Sequence, residues 1–176
     1  MEPTLKFTYR KTLISLFVAV VAIIAALPLR TSAQIVAIGA SNTQGEGVSS
    51  GEAWPAQLEA MLRAKGKPYS VSNRGVSGSK TSQILARLDS DVPAGTMIAV
   101  LAVFTYNDTR TGNSLDQANA NKREIVARLQ ARKIRVIDAG PFVSAAGRSG
   151  MLQVDKIHLT AEGHRYVASH VAALIN

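Results

Sequence analysis

The sequence predicts an α/β protein in which a parallel sheet is sandwiched between two layers of helices. Three observations predict it. From residue 34 onward, short apolar runs alternate with stretches of helical periodicity, the pattern of βαβ crossovers. One run, Met97-Ile98-Ala99-Val100-Leu101-Ala102-Val103, is continuously apolar, as in strands covered on both faces of a parallel sheet. Finally, clusters of serine, glycine and asparagine follow the first three strand-like runs, where an open α/β sheet places its functional loops.

Strands are expected at residues 35–38, 69–72, 96–104 and 134–137. Between them, Pro55 suits the first turn of a helix running to about Lys65, with Leu58, Met61 and Leu62 on one face and Gly66 as the stop. Thr81 is placed to cap a helix over residues 82–88. Leu115, Ala118, Ile125 and Leu129 recur at helical spacing on a long helix ending near Arg132. Thr160 is placed to cap the last helix, whose buried stripe is Val167, Val171, Leu174 and Ile175. The chain has 176 residues, 47% of them hydrophobic, enough for one domain with a core over residues 34–176.

Residues 1–33 read as an export signal or an N-terminal membrane anchor. Lys6, Arg10 and Lys11 precede an apolar run over residues 13–27, and Thr31-Ser32-Ala33 offers a small-residue cleavage site. The run is somewhat short for a spanning helix. Arg30 beside the site, and strand-like residues starting at Ile35, count against cleavage after Ala33. A cleaved signal is the favoured reading over an uncleaved anchor, and both place the domain outside the cytoplasm, in the periplasm or secreted.

Net charge is +8. Lys122, Arg123, Arg128, Arg132, Lys133 and Arg135 concentrate on the long helix and its exit. They read first as a solvated face, and second as a surface drawn to anionic membranes. Few aromatics and no nucleic-acid motif exclude nucleic acid as a partner. The absence of cysteine excludes disulfides, thiolate metal sites and a cysteine nucleophile. No His/Asp/Glu cluster has metal-ligand spacing, so no metal is expected. Gly45 and Gly47 lack the companions of a phosphate loop.

The chemistry rests on residues scattered over four segments. Ser41 follows the first strand, in Gly39-Ala40-Ser41-Asn42-Thr43-Gln44-Gly45. Gly78 lies in Asn73-Arg74-Gly75-Val76-Ser77-Gly78-Ser79, and Asn107 in Thr105-Tyr106-Asn107-Asp108. Near the C-terminus, Asp155-Lys156-Ile157-His158 puts a carboxylate and an imidazole three residues apart, close enough to meet on one turn. Acyl transfer needs a nucleophile, a base, an orienter for the base and donors for the oxyanion. Ser41, His158 and Asp155 can fill the first three roles. The N–H groups of Ser41 and Gly78 and the Asn107 side-chain amide can fill the last. Gly78, lacking a Cβ, lets its backbone approach a substrate closely.

These four segments, in this order, resemble the SGNH (GDSL-type) hydrolases, particularly the small bacterial thioesterase, arylesterase and lysophospholipase branch. The resemblance covers residues 34–176, with Ser41, Gly78, Asn107 and His158 at the family's four named positions and Asp155 as third triad member. It implies a flavodoxin-like α/β/α sandwich and cofactor-free hydrolysis of carboxylic esters or thioesters of small molecules or lipids through an acyl-serine intermediate. A carbohydrate acetylesterase is the alternative, and a non-catalytic envelope-binding protein on the same fold a third reading.

The sequence departs from the family pattern twice. Ala40 replaces the acid of Gly-Asp-Ser, a position with no role in the chemistry. Thr105 and Tyr106 replace two glycines before Asn107, which puts the shape of the oxyanion loop in question. Tyr106 reads as a wall residue and Asp108 as a carboxylate that steadies the turn. Trp54 reads as packing in the core or at its rim, and His164 and His170 as structural or exposed. The segment between the fourth strand and Asp155 is short, so the sheet is expected to hold four to five strands and the site to be open.

Overall fold

A computed structural model describes residues 34–67 and 69–175, and the expected N-terminal signal or anchor lies outside them. The strands are β1 (Ile35–Gly39), β2 (Val71–Gly75), β3 (Ile98–Ala102) and β4 (Arg135–Asp138). They form one parallel sheet in the order β2-β1-β3-β4. The helices are α1 (Ser41–Gln44), α2 (Trp54–Ala64), α3 (Thr81–Ala86), α4 (Leu88–Asp91), α5 (Tyr106–Arg110), α6 (Leu115–Ala131), α7 (Gly140–Arg148) and α8 (Ala161–Leu174).

The central strands β1 and β3 are buried throughout, and their two-residue alternation feeds two cores. Ile35, Ala37, Ile98 and Val100 pack with Trp54, Leu58 and Leu62 of α2, Val143 of α7 and Val167 and Val171 of α8. Val36, Ile38, Ala99 and Leu101 pack on the other face with Ile84 of α3, Leu88 of α4 and Ile125 and Leu129 of α6. Each fully buried Leu, Ile or Val contributes about 1.5–3 kcal/mol, and two such layers make the sandwich. Pro55 sits in the first turn of α2, where a missing N–H costs nothing. The Thr160 hydroxyl caps α8 by accepting from Gly163 N–H at 3.2 Å.

Several local expectations are corrected. β2 starts two residues late and runs on through Ser72-Asn73-Arg74. It is an edge strand, so its polar side chains stay in solvent while the ladder to β1 sets its length. β3 is shorter than the apolar run that announced it. Thr81 lies inside α3 and Lys80 occupies the N-cap, because the Thr81 hydroxyl is engaged by a buried carboxylate described below. Leu115 and Leu174 are exposed at the ends of their helices. α7 was not anticipated from the glycines and proline of its segment; Pro141 opens that helix, and Val143 and Ala146 form its buried face.

Reversal of strand order at β1 and β3 opens a crevice at the carboxyl ends of those two strands. Ser41 follows β1, and Asn107 follows β3 by five residues.

Candidate active site

Glycine lets the Ser41 helix sit directly on the strand ends. Gly39 and Gly75 are register partners at the last rungs of β1 and β2. A Cβ on Gly75 would meet the backbone N of Gln44, and one on Gly39 would meet the Thr43 side chain of the same helix as well as Ala102 O of β3. The loop after β2 is stitched to the same helix. Asn73 Nδ2 donates to Thr43 O at 2.8 Å, and Ser77 N–H donates to Gln44 Oε1 at 2.6 Å. From beneath, Arg87 Nη2 donates to the carbonyls of Gly39 (3.1 Å) and Arg74 (3.3 Å). These ties set where the Ser41 and Gly78 loops stand relative to each other.

Gly78 adopts φ 74, the left-handed region that favours glycine. Nothing lies within 4 Å of where its Cβ would stand. Backbone conformation therefore demands glycine here, alongside the access expected from the sequence. Among the described residues, neither Ser41 N–H nor Gly78 N–H donates to a protein acceptor.

Thr105 caps α5 at φ −88, ψ −1, and Tyr106 opens that helix. Neither residue needs the left-handed conformations that glycine permits, so side chains are accommodated before Asn107. Asn107 Nδ2 donates to Ser79 O at 3.0 Å, which uses one of its two N–H groups and fixes the direction of the other. Asp108 lies buried behind it. Its carboxylate accepts from Thr81 N–H at 3.0 Å and from the Thr81 hydroxyl at 2.8 Å. Asn121 Nδ2 of α6 donates in turn to Thr81 Oγ1 at 3.0 Å. The turn-steadying role expected of Asp108 is thus performed across three elements. Tyr106 is half exposed beside the site, with the Arg110 guanidinium 5.9 Å from its ring centroid.

The last segment forms a tight turn around Asp155. Its Oδ1 accepts from the N–H groups of Ile157 (2.9 Å) and His158 (3.0 Å). Its Oδ2 lies 2.6 Å from His158 Nδ1. Backbone donation from His158 and Ile157, followed by the His158 ring, lowers the Asp155 pKa to about 2. A carboxylate only accepts, so Nδ1 carries the proton and Nε2 is left as the basic nitrogen.

Ser41, Gly78, Asn107 and His158 line one cavity of about 440 Å³, with Phe104, Val143, Leu152 and Ile157 supplying apolar wall. Asp155 stands behind His158, off the cavity lining. The five residues singled out in the sequence are therefore brought together. The others are placed elsewhere: Trp54 is fully buried in the core, and His170 Nδ1 lies 2.8 Å from Tyr166 O. His164 is fully buried, and its Nδ1 accepts from Trp54 N–H at 3.2 Å at the start of α2. Among the described residues no group of three or more His, Asp or Glu is placed to hold a metal ion.

Sequence reasoning overlooked Asn42 and Arg87. Asn42 bonds to the backbone on both sides of His158. Its only sequence signal was adjacency to Ser41, and Arg87 carried none.

The family described as GDSL-like lipase/acylhydrolase matches residues 37–153. No curated protein sequence matches the chain. Among solved structures, the SGNH-hydrolase family esterase AlinE4 is 26% identical over 80% of this chain and 93% of its own, with a TM-score of 0.59. A mutant of esterase AlinE4 aligns at 34% identity over 59% of this chain, which spans 56% of that chain, with a TM-score of 0.54. TesA is 19% identical over 81% of this chain and 97% of its own, with a TM-score of 0.72, a likeness of fold.

Proposed function

Since the chain belongs to the GDSL-like lipase/acylhydrolase family, the SGNH serine ester hydrolases, we propose that it hydrolyses acyl esters or thioesters through an acyl-Ser41 intermediate. The observation that carries this reading is the convergence of Ser41, Gly78, Asn107 and His158 on one cavity, with Asp155 against His158 Nδ1.

In the first half-reaction His158 Nε2 takes the Ser41 hydroxyl proton as Oγ attacks the carbonyl carbon. The resulting oxyanion lies against Ser41 N–H, Gly78 N–H and the Asn107 amide. Collapse breaks the bond to the leaving alcohol or thiol, which takes the proton from His158. In the second half-reaction water gives a proton to His158, attacks the acyl-serine and releases the acid, and Ser41 regains its proton. The Asp155 carboxylate stabilises the imidazolium in both steps. No cofactor is needed for this sequence.

The cavity far exceeds an acetyl group, and its apolar wall of Phe104, Val143, Leu152 and Ile157 favours a longer acyl chain over the acetyl group of a carbohydrate ester. Export is proposed on the N-terminal pattern alone.

Hydrolysis of p-nitrophenyl esters from acetate to palmitate by the full chain tests this reading, with Ser41→Ala as control. Turnover is expected to peak beyond acetate and to fall by about 10⁴–10⁶ in Ser41→Ala. A peak at acetate would favour the carbohydrate acetylesterase. A folded protein inactive on every ester would favour a binding role.

A further inference from the structure

The turn that carries His158 is exposed, and Lys156 within it is held at φ 61, a left-handed conformation uncommon for a side-chain-bearing residue. Bonds from its own segment brace it: Asp155 accepts from His158 N–H, and Gln153 N–H donates to His158 O at 2.7 Å. Those bonds shape the turn without referring it to the nucleophile.

Gln153 Nε2 reaches the loop after Ser41 by donating to Glu46 O as well as to Leu159 O. Asn42 supplies the direct reference, beside Ser41 itself. Its Nδ2 donates to the Ile157 carbonyl at 3.1 Å, and its Oδ1 accepts from Leu159 N–H at 2.9 Å. These groups belong to the two peptide units that flank His158. The amide therefore pairs with the base-bearing backbone as a neighbouring strand would, one acceptor and one donor at once. Asn42 is also the residue next to Ser41 in α1, so the grip links the nucleophile loop to the base loop across 115 residues of sequence.

We propose that Asn42 is a positioning residue that sets the distance and aim of the His158 ring relative to Ser41. This rests on His158 being the base. Proton transfer needs donor and acceptor within about 2.6–3.2 Å, and an error of about 1 Å in such geometry costs on the order of 10²-fold in rate. Asn is the fitting side chain because it offers both an acceptor and a donor. Asp offers only acceptors and would face the Ile157 carbonyl with like polarity. Leu offers neither.

The test is kcat and KM for Asn42→Ala and Asn42→Asp, expressed per serine titrated to completion with a fluorophosphonate, so that loss of folded protein does not register. Both variants are expected to lose about 10²-fold in kcat with KM unchanged. The same substitutions are then made in His158→Ala, with rates expressed per folded molecule because that serine lacks its base, and there they are expected to cost nothing further. Full kcat in Asn42→Ala, full kcat in Asn42→Asp, or an equal further loss in the His158→Ala background would each overturn the proposal. Retention of activity by His158→Ala itself would instead overturn the reading of the site.

Discussion

Asp155 spends its carboxylate on three donors at once, two backbone N–H groups and the His158 ring. That arrangement keeps it ionised far below neutral pH and selects the tautomer that leaves Nε2 basic. Asn107 is held the same way, by a bond that consumes one N–H and aims the other. Asn107→Ala is expected to lower kcat by about 10²–10³ with a smaller change in KM, the mark of a donor used in the transition state. Steady-state kinetics on the best p-nitrophenyl ester checks it; near-full turnover would remove Asn107 from the oxyanion site. The residue types for this chemistry were readable from spacing alone at Asp155 and His158, because a turn of three residues is local. The effect of Thr105 and Tyr106 was not readable. It depends on backbone angles: Thr105 takes the N-cap and Tyr106 the first position of α5, and neither needs a left-handed conformation.

At the level of elements, the short helix α1 depends on the strand ends beneath it. Gly75 matters because backbone occupies the place of its absent side chain. Gly75→Ala must push α1 off the end of β2, carrying Ser41 with it. A loss of about 1–3 kcal/mol in stability is expected from the overpacking, along with a fall in esterase rate larger than the folded fraction explains. Urea unfolding and activity measured on the same samples check this. Unchanged rate per folded molecule would mean that Ser41 does not ride on that contact. Helix α7 and the extent of β2 show where local pattern falls short. A proline and two glycines mask the helical face of α7, and an edge strand keeps polar side chains that a pattern search reads as loop.

For the molecule as a whole, His164 couples acid to stability. It is fully buried, and burial, only partly offset by Glu52, lowers its pKa from 6.5 to about 4. The neutral ring accepts from Trp54 N–H at the start of α2, and its Nε2 has no partner among the described residues. Above the ordinary value the ring is neutral folded and unfolded alike, and the protein has its full stability. As pH falls toward about 4 the unfolded chain binds the proton first, so stability declines. Asp155 adds acid sensitivity only at lower pH, between 3.8 and about 2. Melting temperature is expected to drop between pH 6.5 and 4, and His164→Asn, which keeps an acceptor for Trp54 N–H, is expected to flatten that drop. Calorimetry across the range checks it, and an unchanged slope in the variant would place the acid sensitivity elsewhere. His164 was legible only as a structural or exposed histidine, since α2, a hundred residues away, packs against it.

The sequence by itself determined the α/β class, the two central strands, the N-cap of the last helix and its apolar stripe apart from Leu174, and it offered five residues whose chemistry suits acyl transfer. Those features follow from periodicity and from side-chain chemistry, both of which are local. Tertiary structure decided the strand order and the crevice it opens, the helical setting of Asn107, the buried Asp108–Thr81–Asn121 network and the grip of Asn42 on the His158 turn. All but the helical setting of Asn107, which is local, are contacts between residues far apart in the chain. A hydrogen bond across such a separation leaves no trace in spacing; it exists only once the two cores have packed and brought its partners to within about 3 Å.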